Sequence, residues 1–165
     1  MVAGGGVIVV AFTNDDIKYV TRRSTDHGTT WSAPKVLSND GNFYVASLGA
    51  SGSTVVAAFD VDAGIDFRLA LKRSTDGGLT WSALVPFGTQ VTGAEVGFSK
   101  GLWHLVSSDD TGTWRYRSST DGLAWSSSVV IDTGHGFLAP PVGVGAFTSG
   151  PATAFLDSHI WFAHE

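Results

Sequence analysis

Ser74-Thr75-Asp76-Gly77-Gly78-Leu79-Thr80-Trp81 has a near copy upstream, which reads Ser24-Thr25-Asp26-His27-Gly28-Thr29-Thr30-Trp31. A third copy, one residue shorter, reads Ser119-Thr120-Asp121-Gly122-Leu123-Ala124-Trp125. The leading serines are separated by 50 residues and then by 45 residues. Repetition on this scale indicates supersecondary units that stack on one another, so the chain is predicted to be a repeat protein.

The composition suits short, closely packed strands. The chain has 165 residues, of which 43% are hydrophobic and only 15% are charged, and 21 are glycine. A net charge of −5 without a basic stripe argues against a nucleic-acid partner. No apolar run reaches the ~18 to 20 residues that span a bilayer, and the first residues lack a signal-peptide pattern, so we expect neither membrane insertion nor a signal peptide. The absence of cysteine excludes disulfides, thiol catalysis and thiolate metal ligands.

Each unit contains short apolar stretches separated by turn residues, which is typical of an antiparallel meander. The second unit is predicted to form strands at 43–50, 53–59, 67–74 and 82–87, and the third unit repeats the pattern. The first unit matches only the last three strands, and the final unit only the first three. No stretch has a helical period with caps. The sequence predicts one all-β domain over 1–165, with two complete and two incomplete four-stranded units at approximately 1–37, 38–87, 88–131 and 132–165.

The repeated phrase Ser-x-Asp-x-Gly-x-Thr-Trp resembles the Asp-box, or BNR repeat, of the sialidase-like β-propeller superfamily. The resemblance implies that each unit is one blade and that the phrase forms the hairpin between its third and fourth strands, opposite the active-site face. Because such propellers commonly have six blades, the chain would be about half a propeller. The residues assigned to structural hairpins are Ser24, Asp26, Gly28, Trp31, Ser74, Asp76, Gly78, Trp81, Ser119, Asp121 and Trp125.

The chemistry of the hairpin residues agrees with a structural role. Each aspartate is expected to accept hydrogen bonds from backbone N–H groups of its turn. Gly28 and Gly78 are expected to take positive φ values. Each tryptophan ring is expected to be buried between neighbouring blades, where it would cover roughly 150 to 250 Å² of surface.

Aspartates also cluster in the loops expected between second and third strands. They suit solvated turns, but they could also form an acidic rim that binds a cation or a positively charged ligand. Asp60, Asp62 and Asp66 are the candidate ligands for Ca²⁺, the one cofactor considered. Arg68, beside this loop, is a candidate contact for an anionic ligand. The full set of candidate ligand-binding residues is Asp60, Asp62, Asp66, Arg68, Glu95, Asp109 and Asp110.

Glu95 is the lone charge at a repeat position where the other units have Ala46 and Val144. It is either a solvated residue in a wet channel or a buried carboxylate with a raised pKa that serves as an acid or base. Tyr44 is placed near the same level of the preceding unit. Tyr44 and Glu95 are therefore the candidate catalytic pair, although the Arg-Ile-Pro signature that the resemblance would require is absent.

Three functions remain open at this point. The favoured one is a noncatalytic, extracellular or cell-surface propeller segment that acts as a carbohydrate-binding or assembly module. The second is a fragment of an Asp-box glycoside hydrolase, such as an exo-sialidase, whose catalytic blades lie elsewhere. The third is a half-propeller that self-associates into a closed ring, because an open half would expose sheet faces and edges.

Overall fold

The computed structural model describes residues 1–39, 46–62, 67–90, 93–133, 143–147, 150–156 and 160–164. Every regular element among them is a β-strand. The strands are β1 (Val2–Gly4), β2 (Val7–Thr13), β3 (Tyr19–Ser24), β4 (Lys35–Ser38), β5 (Ala46–Ser51), β6 (Thr54–Asp62), β7 (Phe67–Ser74), β8 (Val85–Gln90), β9 (Gly93–Ser99), β10 (Leu102–Ser108), β11 (Trp114–Ser119), β12 (Val129–Asp132), β13 (Gly143–Phe147), β14 (Gly150–Leu156) and β15 (Ile160–His164).

The strands form four antiparallel meanders in chain order: β1–β4, β5–β8, β9–β12 and β13–β15. The predicted meanders are thus confirmed, but the prediction that the first unit lacks its first strand is wrong. Val2–Gly4 pairs with β2 and completes that sheet. β1 has only three residues before Gly5 and Gly6 turn the chain with positive φ, which is too short for a strand period to show in sequence. Three sheets therefore have four strands, and the fourth has three among the described residues.

The first strands of successive sheets lie beside one another. β5 contacts both β1 and β9, and β9 contacts β13. The sheets are therefore stacked side by side, with β1, β5, β9 and β13 as the inner strands. Because neighbouring strands are antiparallel, the turns between second and third strands leave one end of the sheets, here called the loop end. The Ser-x-Asp hairpins leave the opposite end, here called the hairpin end.

The second sheet buries both of its faces. We call the face toward the following sheet the front and the face toward the preceding sheet the back. Successive side chains of a strand point to opposite faces, so β6 divides its residues between two clusters. Its back residues Val55, Ala57 and Phe59 pack with the first sheet, whereas its front residues Val56 and Ala58 pack with the third. These two clusters contain most of the buried apolar side chains among the described residues.

Candidate functional site

The Ser-x-Asp hairpins are held by internal hydrogen bonds. In the first, the Ser24 hydroxyl donates to Asp26 (2.7 Å) and accepts from the N–H of Gly28 (2.8 Å). The Asp26 carboxylate also accepts from the N–H of Thr30 (2.9 Å) and from its hydroxyl (2.6 Å). Chiefly because of the bonds from Thr30, the pKa of Asp26 falls from 3.8 to about 2. The carboxylate is thus committed to the turn as an anion.

The second hairpin repeats this geometry, and the third adapts it. Asp76 accepts from the N–H of Thr80 (2.8 Å) and has a pKa lowered to about 2 by the Thr80 bonds. Asp121 accepts from the N–H groups of Leu123 (2.8 Å) and Ala124 (2.9 Å), which lower its pKa. The expected backbone bonds therefore form in all three hairpins. Positive φ values are also found at the expected glycines, Gly28 (87°) and Gly78 (81°).

The three hairpin tryptophans differ in burial. Trp81 packs against the core between the first and second sheets, and Trp125 against the core between the second and third. Trp31 instead remains 38% exposed. The prediction that it is buried between blades is wrong for the described structure, because the back of the first sheet has no described sheet against it.

Turns at the loop end use their acidic or amide residue as an internal cap. In the first sheet, Asn14 Oδ1 accepts from the N–H of Lys18 (2.9 Å), and in the third Asp109 Oδ1 accepts from the N–H of Thr113 (3.0 Å). Burial acts to raise the pKa of Asp109, but hydrogen bonds from Thr111, Thr113 and Arg115 outweigh it and lower the pKa. Asp109 also forms an ion pair with Arg115 (3.3 Å). Of the two candidate residues in this turn, only Asp110 is exposed.

Asp60 was expected in an exposed loop, and this placement is wrong. β6 continues to Asp62, so Asp60 lies within a strand and is 0% exposed. Its carboxylate accepts a hydrogen bond from the Tyr19 hydroxyl (2.8 Å) of the first sheet. Asp66 and the side chain of Asp62 lie outside the described residues. In the described part of the chain, no cluster of three or more His, Asp or Glu side chains is placed to hold a metal ion.

Glu95 lies on the inner strand β9, half-buried against β5. The predicted alignment of Glu95 with Ala46 is wrong by one residue, because strand register makes Glu95 equivalent to Ser47. Burial raises its pKa, although a hydrogen bond with the Ser47 side chain and the positive amino terminus act in the opposite direction. Ser47 is itself buried and accepts from the N–H of Val96 (3.0 Å). Glu95 therefore combines burial with one hydroxyl contact. Tyr44, its proposed partner, lies outside the described residues.

Arg68 is the second residue of β7 at the loop end, and it is exposed. The register of β7 against β8 shifts between Arg68 and Leu69. The same irregularity occurs at the start of β3 and of β11. Among the described residues, no hydrogen bond or ion pair joins Arg68 to Asp109 or Glu95.

The back face of the first sheet is the largest departure from the repeat. Phe12 pairs with Val20, and Phe59 pairs with Ala70. Because Val20 and Ala70 each lie four residues before the serine of their hairpin, Phe12 and Phe59 are equivalent positions of the repeat. Phe59 is 1% exposed, whereas Phe12 is 40% exposed. Val36 on β4 is also exposed, and it neighbours Phe12 through Val20. This surface, composed of Ile8, Val10, Phe12 and Val36, is called the open back face.

Two rows of basic residues link consecutive sheets, and sequence reasoning missed how they act. Lys72, two residues before a hairpin serine, donates backward to the carbonyl oxygen of Leu37 (2.7 Å). Arg117, at the same repeat position, lies over the ring of Phe87, 5.2 Å from its centre. Each therefore reaches the fourth strand of the preceding sheet. Arg22, the third member of this row, is exposed beside the open back face.

The second row reaches forward. Arg23 Nε donates to the carbonyl oxygen of Gly77 (3.2 Å), and Arg73 Nη1 donates to that of Asp121 (2.6 Å). The guanidinium before one hairpin thus binds the next hairpin. Ser118 stands at this place in the third unit. Basic residues at fixed offsets from the hairpin serines, three in the first row and two in the second, were the sequence signal of these links.

His104 is a further residue that sequence reasoning did not place in a cluster. It is buried on β10, with its ring nitrogens beside the side chains of Ser99 and Tyr116. Val9 and Val56 occupy the equivalent positions of the first and second sheets. A polar residue at a position that is apolar in the other repeats could have signalled it.

Comparison with known proteins identifies the architecture. No protein-family model matches the chain, and no curated protein matches its sequence. Solved structures do match: a Trypanosoma rangeli sialidase aligns with a TM-score of 0.65 and 13% identity over 98% of this chain and 35% of its own. The fold is that of sialidase-like β-propeller blades.

Two other solved structures agree. The α-L-arabinofuranosidase Arb93A from Fusarium graminearum aligns with a TM-score of 0.64 and 18% identity, over 91% of this chain and 53% of its own. The intramolecular trans-sialidase from Ruminococcus gnavus gives 0.60 and 16%, over 90% and 36%. At such identities the likeness establishes the propeller fold alone. The chain spans about half or less of the length of these three proteins.

The described residues of the propeller contain no helix that is long and apolar enough to cross a membrane.

Proposed function

We propose that this chain is a noncatalytic sialidase-like propeller unit that acts as an assembly and binding module, and that it completes a propeller by self-association. The open back face is the observation that carries this proposal. In the second and third sheets the equivalent face is buried under the preceding sheet. An exposed apolar face of the same design has the shape and chemistry to receive another blade.

The contacts between the described sheets indicate what the occupant provides. Lys72 and Arg117 each bind the fourth strand of the sheet behind them, through a carbonyl oxygen or an aromatic ring. Arg22 occupies the same position of the repeat in the first sheet. The expected occupant is therefore the front of another blade. In a second copy the fronts of the first and second sheets are already covered by the sheets that follow them, so the proposed occupant is the front of the sheet formed by β13–β15. Such a back-to-front contact between copies is heterologous, and it closes into a ring when the rotation between copies permits.

Binding is assigned to the loop end and to the inner strands. Arg68 and Asp110 are exposed at the loop end, and Glu95 is the charged residue of the described inner strands. A carbohydrate is the proposed ligand class, because hydroxyl groups can accept from a guanidinium and donate to carboxylates. The proposed location is extracellular or at the cell surface. The candidate Ca²⁺ ligands remain Asp60, Asp62 and Asp66. Binding of Ca²⁺ by the buried Asp60 would require its hydrogen bond with the Tyr19 hydroxyl to break.

Light scattering of the purified chain across micromolar concentrations tests the assembly. The wild-type chain should exceed its 17.3 kDa monomer mass, and the double variant Phe12→Lys/Val36→Lys should return to the monomer. Leu79→Lys is the matched control, because Leu79 is 55% exposed on a hairpin away from the open back face. A well-folded wild-type monomer at every concentration would reject self-association.

A second candidate is a fragment of an Asp-box glycoside hydrolase. Glu95 favours it, because a half-buried carboxyl with a raised pKa on an inner strand is suited to acid–base chemistry. The test is hydrolysis of a fluorogenic sialoside and of aryl arabinofuranosides by wild type, Glu95→Gln and Tyr44→Phe. Our leading proposal expects no turnover above buffer. Turnover that both substitutions abolish would favour the hydrolase.

A further inference from the structure

Three side chains near the hairpin end of the third sheet form a connected hydrogen-bonded chain. The Ser99 hydroxyl lies 3.0 Å from His104 Nε2, and His104 Nδ1 lies 2.8 Å from the Tyr116 hydroxyl. The His104 and Tyr116 rings are also stacked, with centres 5.9 Å apart and planes 26° apart. This cluster lies at the end of the sheets opposite the loop end.

The geometry gives each side chain a distinct role. A hydroxyl nucleophile requires a base within about 2.6 to 3.2 Å, and that base requires a third group to orient it. With its proton on Nδ1, His104 donates to the Tyr116 oxygen and presents Nε2 as an acceptor toward Ser99. In the other tautomer Nε2 carries the proton and faces the Ser99 carbonyl oxygen at 3.3 Å. Only the first tautomer activates the hydroxyl.

Burial differs across the cluster in the way that such a site requires. His104 is 3% exposed, so its ring is fixed by packing. Ser99 is half-buried at the end of β9, and the turn that follows, Lys100 and Gly101, is exposed. Within the cluster, the histidine is thus buried and the serine is partly accessible beside an exposed turn.

The other sheets provide an internal comparison. Ser51 ends β5 as Ser99 ends β9, and each pairs with the first residue of the following strand. Two residues into that strand the second sheet has Val56 where the third has His104. Leu71 likewise stands where the third sheet has Tyr116. The third sheet thus replaces an apolar pair of the repeat with a hydrogen-bonded polar pair, beside a serine that both share.

We propose that Ser99 is a nucleophile activated by His104, with Tyr116 as the positioning residue, and that this site reacts with small activated acyl esters. Ser99 Oγ forms a bond to the acyl carbon while its proton passes to Nε2. The ester C–O bond breaks, and the leaving alcohol takes that proton. The product is the acylated serine.

The test measures covalent modification by a fluorophosphonate reagent, with the modified serine located by peptide mass spectrometry. Ser99 should react about 100-fold faster than Ser51, the magnitude expected from a positioned general base. After treatment with p-nitrophenyl acetate, the acetyl group should likewise be found on Ser99. The Ser99→Ala substitution should abolish this acetylation. Equal rates at Ser51 and Ser99, or acylation confined to Lys100, would overturn the proposal.

Two variants separate the roles. His104→Val introduces the residue of the other two repeats, and it should lower the Ser99 rate to that of Ser51. Tyr116→Phe keeps the stacked ring but removes the hydroxyl, so the Ser99 rate should fall while the melting temperature and the Ser51 rate stay unchanged. A folded His104→Val variant that reacts as fast as wild type would reject the assignment. The comparison of Ser51 with Ser99 in the wild-type chain decides the matter even if that variant does not fold.

Discussion

The first and second sheets are built from the same repeat, but the back face of the second is buried whereas that of the first is exposed. Residues of the second sheet, such as Phe59, are sealed beneath the first sheet, whereas the equivalent Phe12 is open. The difference extends to the hairpins, where Gly77 is buried and its counterpart His27 is exposed. The same local sequence therefore becomes core or surface according to whether a neighbour covers it.

The largest effect is expected for the paired phenylalanines. Phe59→Ala should cost about 3 to 5 kcal/mol of unfolding free energy, because it leaves a cavity in the core between the first two sheets. At a dilution where the chain is monomeric, Phe12→Ala should cost far less, since its ring is 40% exposed. Urea unfolding measures both. The cost of Phe12→Ala should rise with protein concentration if the chains assemble, and equal costs in the monomer would contradict the comparison.

The hairpin turns should give the next effect. Gly77 has φ 66°, and a Cβ there would lie 3.2 Å from Val7 of the first sheet. Gly77→Ala should therefore destabilise the fold by about 1 to 2 kcal/mol or more. His27 has φ 58° at the equivalent place without such a neighbour, so His27→Gly should stabilise by up to about 1 kcal/mol. Thermal melts of the two variants should move in opposite directions.

The backward-reaching cations should show a smaller contrast. Lys72→Met removes a charged donor to the Leu37 carbonyl and should cost about 1 kcal/mol. Arg22→Met, at the equivalent exposed site of the first sheet, should leave the monomer within ~0.5 kcal/mol of wild type. Denaturation of both in dilute solution is the measurement. A larger loss at Arg22 than at Lys72 would contradict the assignment of this row.

The smallest contrast is expected from pH, because the hairpin carboxylates behave alike in the two sheets. Asp26 and Asp76 both have pKa values of about 2 in the folded chain against an ordinary value of 3.8. Because folding lowers these pKa values, their stabilisation is present above about pH 4 and is lost as the pH falls toward 2. Asp26→Asn and Asp76→Asn should reduce the acid-induced fall in melting temperature equally. If only one of the two variants reduced the fall, burial of the back face would have to influence the hairpin carboxylate of that sheet.

Much of the fold could be predicted from local sequence. The hairpins contain serine, aspartate and glycine in the order that their hydrogen bonds and positive φ values require, so each turn is specified within eight residues. Strands such as Val7–Thr13 and Phe67–Ser74 have the expected bounds, because apolar runs between turns are clear signals. β1 was missed because three residues carry no usable period.

The candidate site was less predictable. Asp60 looked like a loop residue beside other aspartates, but β6 extends through it and Tyr19 binds it from another sheet. The Ser99, His104 and Tyr116 cluster joins three strands, so spacing along the chain does not reveal it. Asp109 was identified as a candidate ligand-binding residue, but its carboxylate accepts a hydrogen bond from the backbone of its own turn. Asn14 accepts the equivalent bond in the first sheet, so a turn-capping role at this position was also compatible with the sequence.

The sequence by itself determined the repeat, the antiparallel meanders and the chemistry of the turns, because these depend on contacts between residues close along the chain. Only the tertiary structure decided which copy of a repeated residue is buried, which basic side chain donates to a carbonyl oxygen and which histidine contacts a serine. Those outcomes depend on contacts between sheets. Phe12 and Phe59 have equivalent places in the repeat, and the neighbouring sheet alone makes one of them core and leaves the other exposed.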